Sequence, residues 1–287
     1  MKLLLALSSV IVFWNVENFF DPTADSDNPS ELSFTPRGER RWTFGRERAK
    51  ARAIAKVLLT LADSAGTPPD LIGLCEVENA RCLRELVSGT ALRKYGYRYV
   101  HFDSPDRRGI DCALLYRALP DGPGLTPSLG RMVSSRAVPL RDSTGAILPT
   151  RSLLLVEFDS LAVIVCHLPS KLGGSSQAEA RRSIALRTLS RLCDSLSRAE
   201  SGEVLGVNLA EGRRIIVIGD FNDTCTPESD SLMRPMLELS PSPATGFPSV
   251  PGTIKFEGIW EQIDRAFVSE PLAPGGPSEH HATLVPP

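Results

Sequence analysis

Apolar runs that break off in polar clusters recur along this chain. Val10 to Trp14 ends at Asn15, Asp70 to Leu74 leads to Glu76, and Leu161 to Cys166 ends at His167. Ile215 to Ile218 ends in Gly219-Asp220-Phe221-Asn222-Asp223. Short continuous apolar runs read as buried strands, and polar groups at their carboxyl ends are where an α/β protein assembles a site. If the extended geometry continues, Asp220 and Asn222 point to the same side. Taken alone, that stretch reads equally as a strand followed by an Asp/Asn turn.

Further strands are predicted at Tyr97 to Phe102, Cys112 to Tyr116, Met132 to Leu140, Ser152 to Phe158, Thr253 to Phe256, Arg265 to Ser269 and Ala282 to Val285. A helix over 45–62, capped by Thr43, repeats Ala49, Ala53, Val57 and Leu61 on one face. A second, over 177–198, carries Ile184, Leu189, Leu192, Cys193 and Leu196 as its stripe, and shorter helices fit 80–87 and 229–233. The stretches 21–41, 119–130 and 239–251 hold scattered Pro and Gly and read as loops. Strands dominate, which favours two sheets stacked face to face with helices outside; a doubly wound single sheet is the alternative.

No repeat and no linker divides the chain, so residues 10–287 read as a single domain. Residues 1–9 fit either a short signal-like segment or the start of the first strand. The first choice implies a secreted or periplasmic protein, the second a cytoplasmic one. No segment reaches the length of a membrane span, and a monomer is expected.

The net charge of -2 provides no global basic field for a polyanion, although loop residues Arg37, Arg40, Arg41 and Lys171 can line a local groove. The six cysteines form no CxxC pair and no compact framework, so they read as buried free thiols. No stacking platform and no long apolar hairpin is evident in the chain. Acids and amides gathered at strand ends suit a hard divalent cation, Mg2+ first and Mn2+ or Ca2+ as alternatives.

Seven short motifs then occur in order. They are Asn15-Val16-Glu17-Asn18-Phe19, Cys75-Glu76-Val77, Arg108-Gly109-Ile110-Asp111 running on to Tyr116, His167-Leu168-Pro169-Ser170-Lys171, Gly219-Asp220-Phe221-Asn222-Asp223, Ile263-Asp264-Arg265 and Ser278-Glu279-His280. In their order and approximate spacing the chain resembles the endonuclease/exonuclease/phosphatase superfamily. Two positions depart from the family pattern: Cys75 stands where Gln is usual, and Glu279 stands where Asp is usual.

The resemblance implies a four-layered α/β sandwich, two packed and mainly antiparallel sheets covered by helices. It also implies a divalent-metal-dependent hydrolase that cuts phosphate esters with water. In that scheme Asn15, Glu76 and Glu279 hold the metal, and Asp220 activates water. Asn222, His167 and Arg108 bind the phosphate. Asp264 orients His280, with His281 as the alternative imidazole, and Glu17 and Glu78 face solvent or support the site. DNA or RNA is the expected substrate. A small or lipid-linked phosphate ester is the alternative, and a phosphate-binding module without turnover is the reading from another class.

Overall fold

The computed structural model describes residues 2–6, 9–118, 125–126, 130–159, 161–170, 176–198, 213–224, 227–234, 236–239, 241–243, 250–272 and 281–284. In chain order the first elements are β1 (Lys2–Ala6), β2 (Ser9–Phe19), α1 (Pro29–Ser33), α2 (Phe44–Ala65), β3 (Leu71–Val77), α3 (Ala80–Gly89), β4 (Tyr97–His101) and β5 (Asp111–Arg117). There follow β6 (Leu125–Thr126), β7 (Gly130–Val138), β8 (Leu153–Phe158), β9 (Ala162–His167), α4 (Ser176–Arg198), β10 (Ile215–Asp220) and α5 (Pro227–Leu232). The last are β11 (Met236–Glu238), β12 (Pro241–Pro243), β13 (Ile254–Phe256), β14 (Ile259–Glu261), β15 (Asp264–Ser269) and β16 (His281–Leu284).

Two seven-stranded sheets result, in the orders β12-β16-β1-β2-β3-β5-β4 and β11-β15-β10-β9-β8-β7-β6. Most pairings are antiparallel; β2–β3, β9–β10 and β12–β16 are parallel. Side-chain alternation along each strand sorts the apolar residues into layers. Ile11 and Phe13 of β2 meet Val163, Val165, Ile216 and Ile218 of the other sheet in the central core. Val10 and Val12 turn the opposite way, onto α2 and α3. Ile215 and Val217 of β10 pack outward with Ala185, Leu189 and Cys193 of α4. The order is therefore helix, sheet, sheet, helix, and the doubly wound alternative is excluded.

Helix α2 starts at Thr43, whose hydroxyl accepts from Arg46 N, and stops at Gly66 in the left-handed region. Its buried face is Ala51, Ile54, Ala55, Leu58, Leu61 and Ala62, whereas Ala49 and Ala53 are exposed. Of the expected stripe Leu61 is buried and Val57 packs against the same core, but the two alanines were misplaced, because alanine alone does not mark a buried side. The loop expected over 21–41 contains the short helix α1, with Phe34 stacked on Phe20 at 4.1 Å and Trp42 Nε1 donating to Phe20 O. Residues 2–6 form a strand between β2 and β16. No helix among the described residues is long and apolar enough to cross a membrane.

Candidate active site

The edge where β2, β3, β9, β10 and β15 end or begin holds a pocket of about 330 Å³. Asn15, Glu76, Arg108, His167, Asp220, Asn222 and Asp264 all line it. Glu279 and His280 lie outside the described residues, as does Lys171.

The strands do not simply run out into this pocket. Registers shift between Asn15 and Phe19 on β2 and between Cys75 and Val77 on β3, so both strands are bulged there. Glu17, Asn18 and Glu76 take positive φ values of 55°, 59° and 63°. Non-glycine residues adopt that region at a cost that surrounding contacts must offset, and such outliers gather at functional sites. The bulge re-aims the Glu76 side chain, which regular alternation would send to the face opposite Cys75. Asn222, with φ 49°, is likewise not a continuation of β10. It reaches the pocket beside Asp220 through a turn in which Asp220 Oδ1 accepts the Asn222 N–H at 2.8 Å.

Asn15 Nδ2 donates to Asp220 Oδ2 at 3.0 Å, and Asn15 Oδ1 accepts from Glu17 N. Burial pushes the Asp220 carboxyl up, and the hydrogen bond from Asn15 pulls it back. His167 Nε2 lies 3.8 Å from Asp220 Oδ2. Burial, reinforced by Arg151 and Arg108, holds the imidazole well below the ordinary histidine range, so it is neutral at pH 7. Asn222 Nδ2 donates to Leu168 O at 2.9 Å, which fixes the turn after β9. Asp264 is buried, and its backbone N–H and that of Ile263 both donate to Thr253 Oγ1 at 3.0 Å.

Arg108 lies against Glu76, with Nη1 and Nη2 each 3.3 Å from one carboxylate oxygen. The same Nη2 donates to Asn18 Oδ1 at 2.7 Å, and Asn18 N donates to Glu76 Oε2 at 2.9 Å. Asn18 was not anticipated as a site residue, nor was Arg151. Buried Arg151 joins Asp106, at 3.0 Å, to Leu168 O, at 2.9 Å, and so ties the Arg108 turn to the His167 turn. Glu78 is buried rather than solvated; it accepts the Asp21 N–H, and burial pushes its carboxyl up to about 8. Arg37, Arg40 and Arg41 are exposed and do not line the pocket.

A short hairpin with an apolar tip, built from strands of three residues each, stands at the rim. Strands β13 and β14 pair Phe256 with Ile259 around Glu257-Gly258, both at positive φ, and Ile254, Phe256 and Ile259 are 39%, 53% and 69% exposed. Thr253 and Ile254 carry it into the pocket wall.

Glu76, Asp264 and Asn15 all line the pocket, and their carboxylate and amide oxygens are of the kind that a hard divalent ion takes. A separate His/Asp cluster is also able to hold a divalent ion. One ligand atom from each of His101, Asp103 and Asp111 lies within 4.8 Å of the others, and none of the three lines the pocket.

The four-layered sandwich, with acids, amides and a neutral imidazole at one sheet edge, defines a metal-dependent phosphoric ester hydrolase. The chain matches the Endonuclease/Exonuclease/phosphatase family over residues 10–275, and it belongs to that family. No curated protein sequence matches it. Among solved structures it is similar to the human Nocturnin catalytic domain with bound sulfate, at 16% identity and TM-score 0.53, over 91% of this chain and 82% of that one. It is also similar to the mannosyl-6-phosphatase of Bacteroides thetaiotaomicron, at 16% identity and TM-score 0.54, over 91% and 85% of the two chains. A third is ANGEL2, a 2',3'-cyclic phosphatase in complex with adenosine-2',3'-vanadate, at 13% identity and TM-score 0.52, over 94% and 85%. At these identities the likeness is one of fold.

Proposed function

We propose that the protein hydrolyses phosphodiester bonds of DNA or RNA, with Mg2+ as its ion. The convergence of Asn15, Asp220 and His167 on one pocket carries the reading. Asp220 takes the proton of the attacking water, and Asn15 Nδ2 holds the carboxylate oxygen that does so. Neutral His167 donates a hydrogen bond to a nonbridging phosphate oxygen without adding charge. Asn222 has a second amide N–H for the same group.

Glu76, with Asn15 and Asp264 of the same pocket lining, would hold the cation, which when bound supplies positive charge against the phosphate. The Glu76 carboxylate accepts three hydrogen bonds from Arg108 and Asn18. A carboxylate offers about four lone-pair sites, so room for a cation remains. Arg108 is placed to exchange Glu76 for a phosphate oxygen.

The rim hairpin supports a nucleic-acid substrate over a bare phosphomonoester. Phe256 is exposed there, and Lys255 sits 5.9 Å from the Trp260 ring centroid, so aromatics and a cation lie on the hairpin that Thr253 and Ile254 join to the pocket wall. The same apolar tip favours a second reading, a phosphate ester attached to a lipid.

The test is a substrate panel with Mg2+, Mn2+ or Ca2+ and with EDTA: supercoiled and single-stranded DNA, RNA, a small phosphodiester, phosphomonoesters and phospholipid vesicles. Metal-dependent cleavage of the polymers, abolished by EDTA and in Asp220→Asn, is expected. Selective turnover of phospholipid, lost in Phe256→Ser with Ile259→Ser, would replace the first reading by the second. Phosphate binding without turnover on any substrate would overturn both.

A further inference from the structure

The β4–β5 connection carries Arg108 to the pocket, and its two feet are His101, the last residue of β4, and Asp111, the first of β5. His101 pairs with Ala113, so Asp111 lies diagonally across on the same face of the sheet. Both side chains are enclosed, 4% and 5% exposed. His101 Nε2 nevertheless has no hydrogen-bond partner.

Its distance to Asp111 Oδ2 is 3.6 Å, too long for a hydrogen bond. It is close to the edge of about 3.4 Å expected between two ligands of a tetrahedral Zn2+ with bonds of about 2.1 Å. Asp103 Oδ1 lies 3.8 Å from Nδ1, the other ring nitrogen, but its side chain is 89% exposed and free to swing toward the Asp111 side, and one ligand atom from each of the three residues lies within 4.8 Å of the others. The other oxygen of Asp111 accepts from the Ser104 hydroxyl, a bond of the kind that orients a metal ligand. One imidazole among the donors favours Zn2+ over Mg2+ or Ca2+.

We propose that His101, Asp103 and Asp111 form a structural Zn2+ site, apart from the active site, that clamps the feet of the β4–β5 connection and so positions Arg108. The connection is already braced at its tip. Asp106 accepts from Arg108 N at 2.9 Å and from Arg151 at 3.0 Å, and Gly109 turns the chain at φ 67°. A cation at the feet would cross-link its two ends as well. Arg108 would then be a residue held from both directions, and the three ligands would act on the phosphate only through it. The site does not depend on which phosphate ester is the substrate.

The experiment uses the full chain with Zn2+ alone, read by calorimetry, native mass spectrometry and hydrogen exchange. Glu76→Gln protein is the parent, so that binding at the pocket carboxylate is removed first. One Zn2+ per chain should remain, with slowed exchange over residues 102–110. Adding Asp103→Asn should weaken binding at least tenfold, and adding His101→Gln should abolish it. Because Asp103 is exposed, a loss in its variant does not arise from misfolding. Unchanged affinity in both added variants, or no Zn2+ uptake by the parent, would overturn the site. Uptake without altered exchange over 102–110 would overturn the clamp.

Discussion

Asn15 and Asp220 come from different sheets, and the 3.0 Å hydrogen bond from Asn15 Nδ2 to Asp220 Oδ2 joins the two in the wall of the pocket. Cutting this bond leaves a buried carboxylate that burial already pushes toward its protonated form. Asn15→Ala should lower kcat by roughly a hundredfold with little change in KM, as expected when one preorganised donor is lost. Steady-state kinetics on a small phosphodiester would show it; a kcat equal to that of the native enzyme would mean that Asp220 does not need this partner.

A close approach of backbone shapes the strand beneath that site. Gly219 pairs with Cys166 across β9 and β10, and a Cβ added at 219 would run into the Cys166 carbonyl oxygen and thiol. The obstruction on one side is main chain, which cannot rotate away. Gly219→Ala should therefore destabilise the fold by about 1–3 kcal/mol. Urea denaturation would measure it, and an unchanged midpoint would show that the two strands separate easily.

His167 gives the acid limb of stability a definite sign. Its imidazole titrates well below 6.5 in the folded chain, first because it is buried and then because Arg151 and Arg108 repel the cation. As pH falls through 6.5, the unfolded chain takes up a proton there before the folded one does. Stability present above that pH is lost as pH falls toward the folded value. His167→Gln should melt with a flatter profile between pH 7 and pH 5, measured by thermal unfolding. Parallel profiles for the two proteins would contradict the burial argument.

The thiols of Cys75, Cys82, Cys112, Cys166 and Cys193 are free and buried, and burial pushes each of them up, Cys193 to about 12. A thiol reacts as its thiolate. Iodoacetamide at neutral pH should leave all five unmodified in native protein and label them in denaturant, as read by peptide mass spectrometry. Native labelling at Cys112 or Cys166 would place an opening in the central layers.

Much of the site was legible because its residues sit directly after uninterrupted apolar runs; Asn15, Glu76, His167 and Asp220 need no tertiary information to be noticed. The layering was legible for the same reason, since Ile11 and Val12 alternate between two apolar surroundings. What could not be read was how the chain leaves those strands. The bulges at Glu17, Asn18 and Glu76 rely on left-handed backbone at residues with no glycine to signal it. The strand expected over 253–256 is β13, but the hairpin turns on Glu257-Gly258 rather than the Asn-Gly or Asp-Gly pair that marks such turns, so its partner β14 was not foreseen. His101 escaped notice because its role depends on Asp111, which only strand pairing brings near.

The pocket's residues are shared between the sheets: Asn15, Glu76 and Arg108 belong to one side, and His167, Asp220, Asn222 and Asp264 to the other. The apolar layer that includes Phe13, Val165 and Ile218, together with the Asn15–Asp220 and Arg151–Asp106 contacts, sets how the two halves sit against each other. The enzyme thus works as a vernier, in which a slip of about 1 Å between the two scales is enough to lose on the order of a hundredfold in rate. Gradual loosening by heat or denaturant should silence turnover while both scales are still intact.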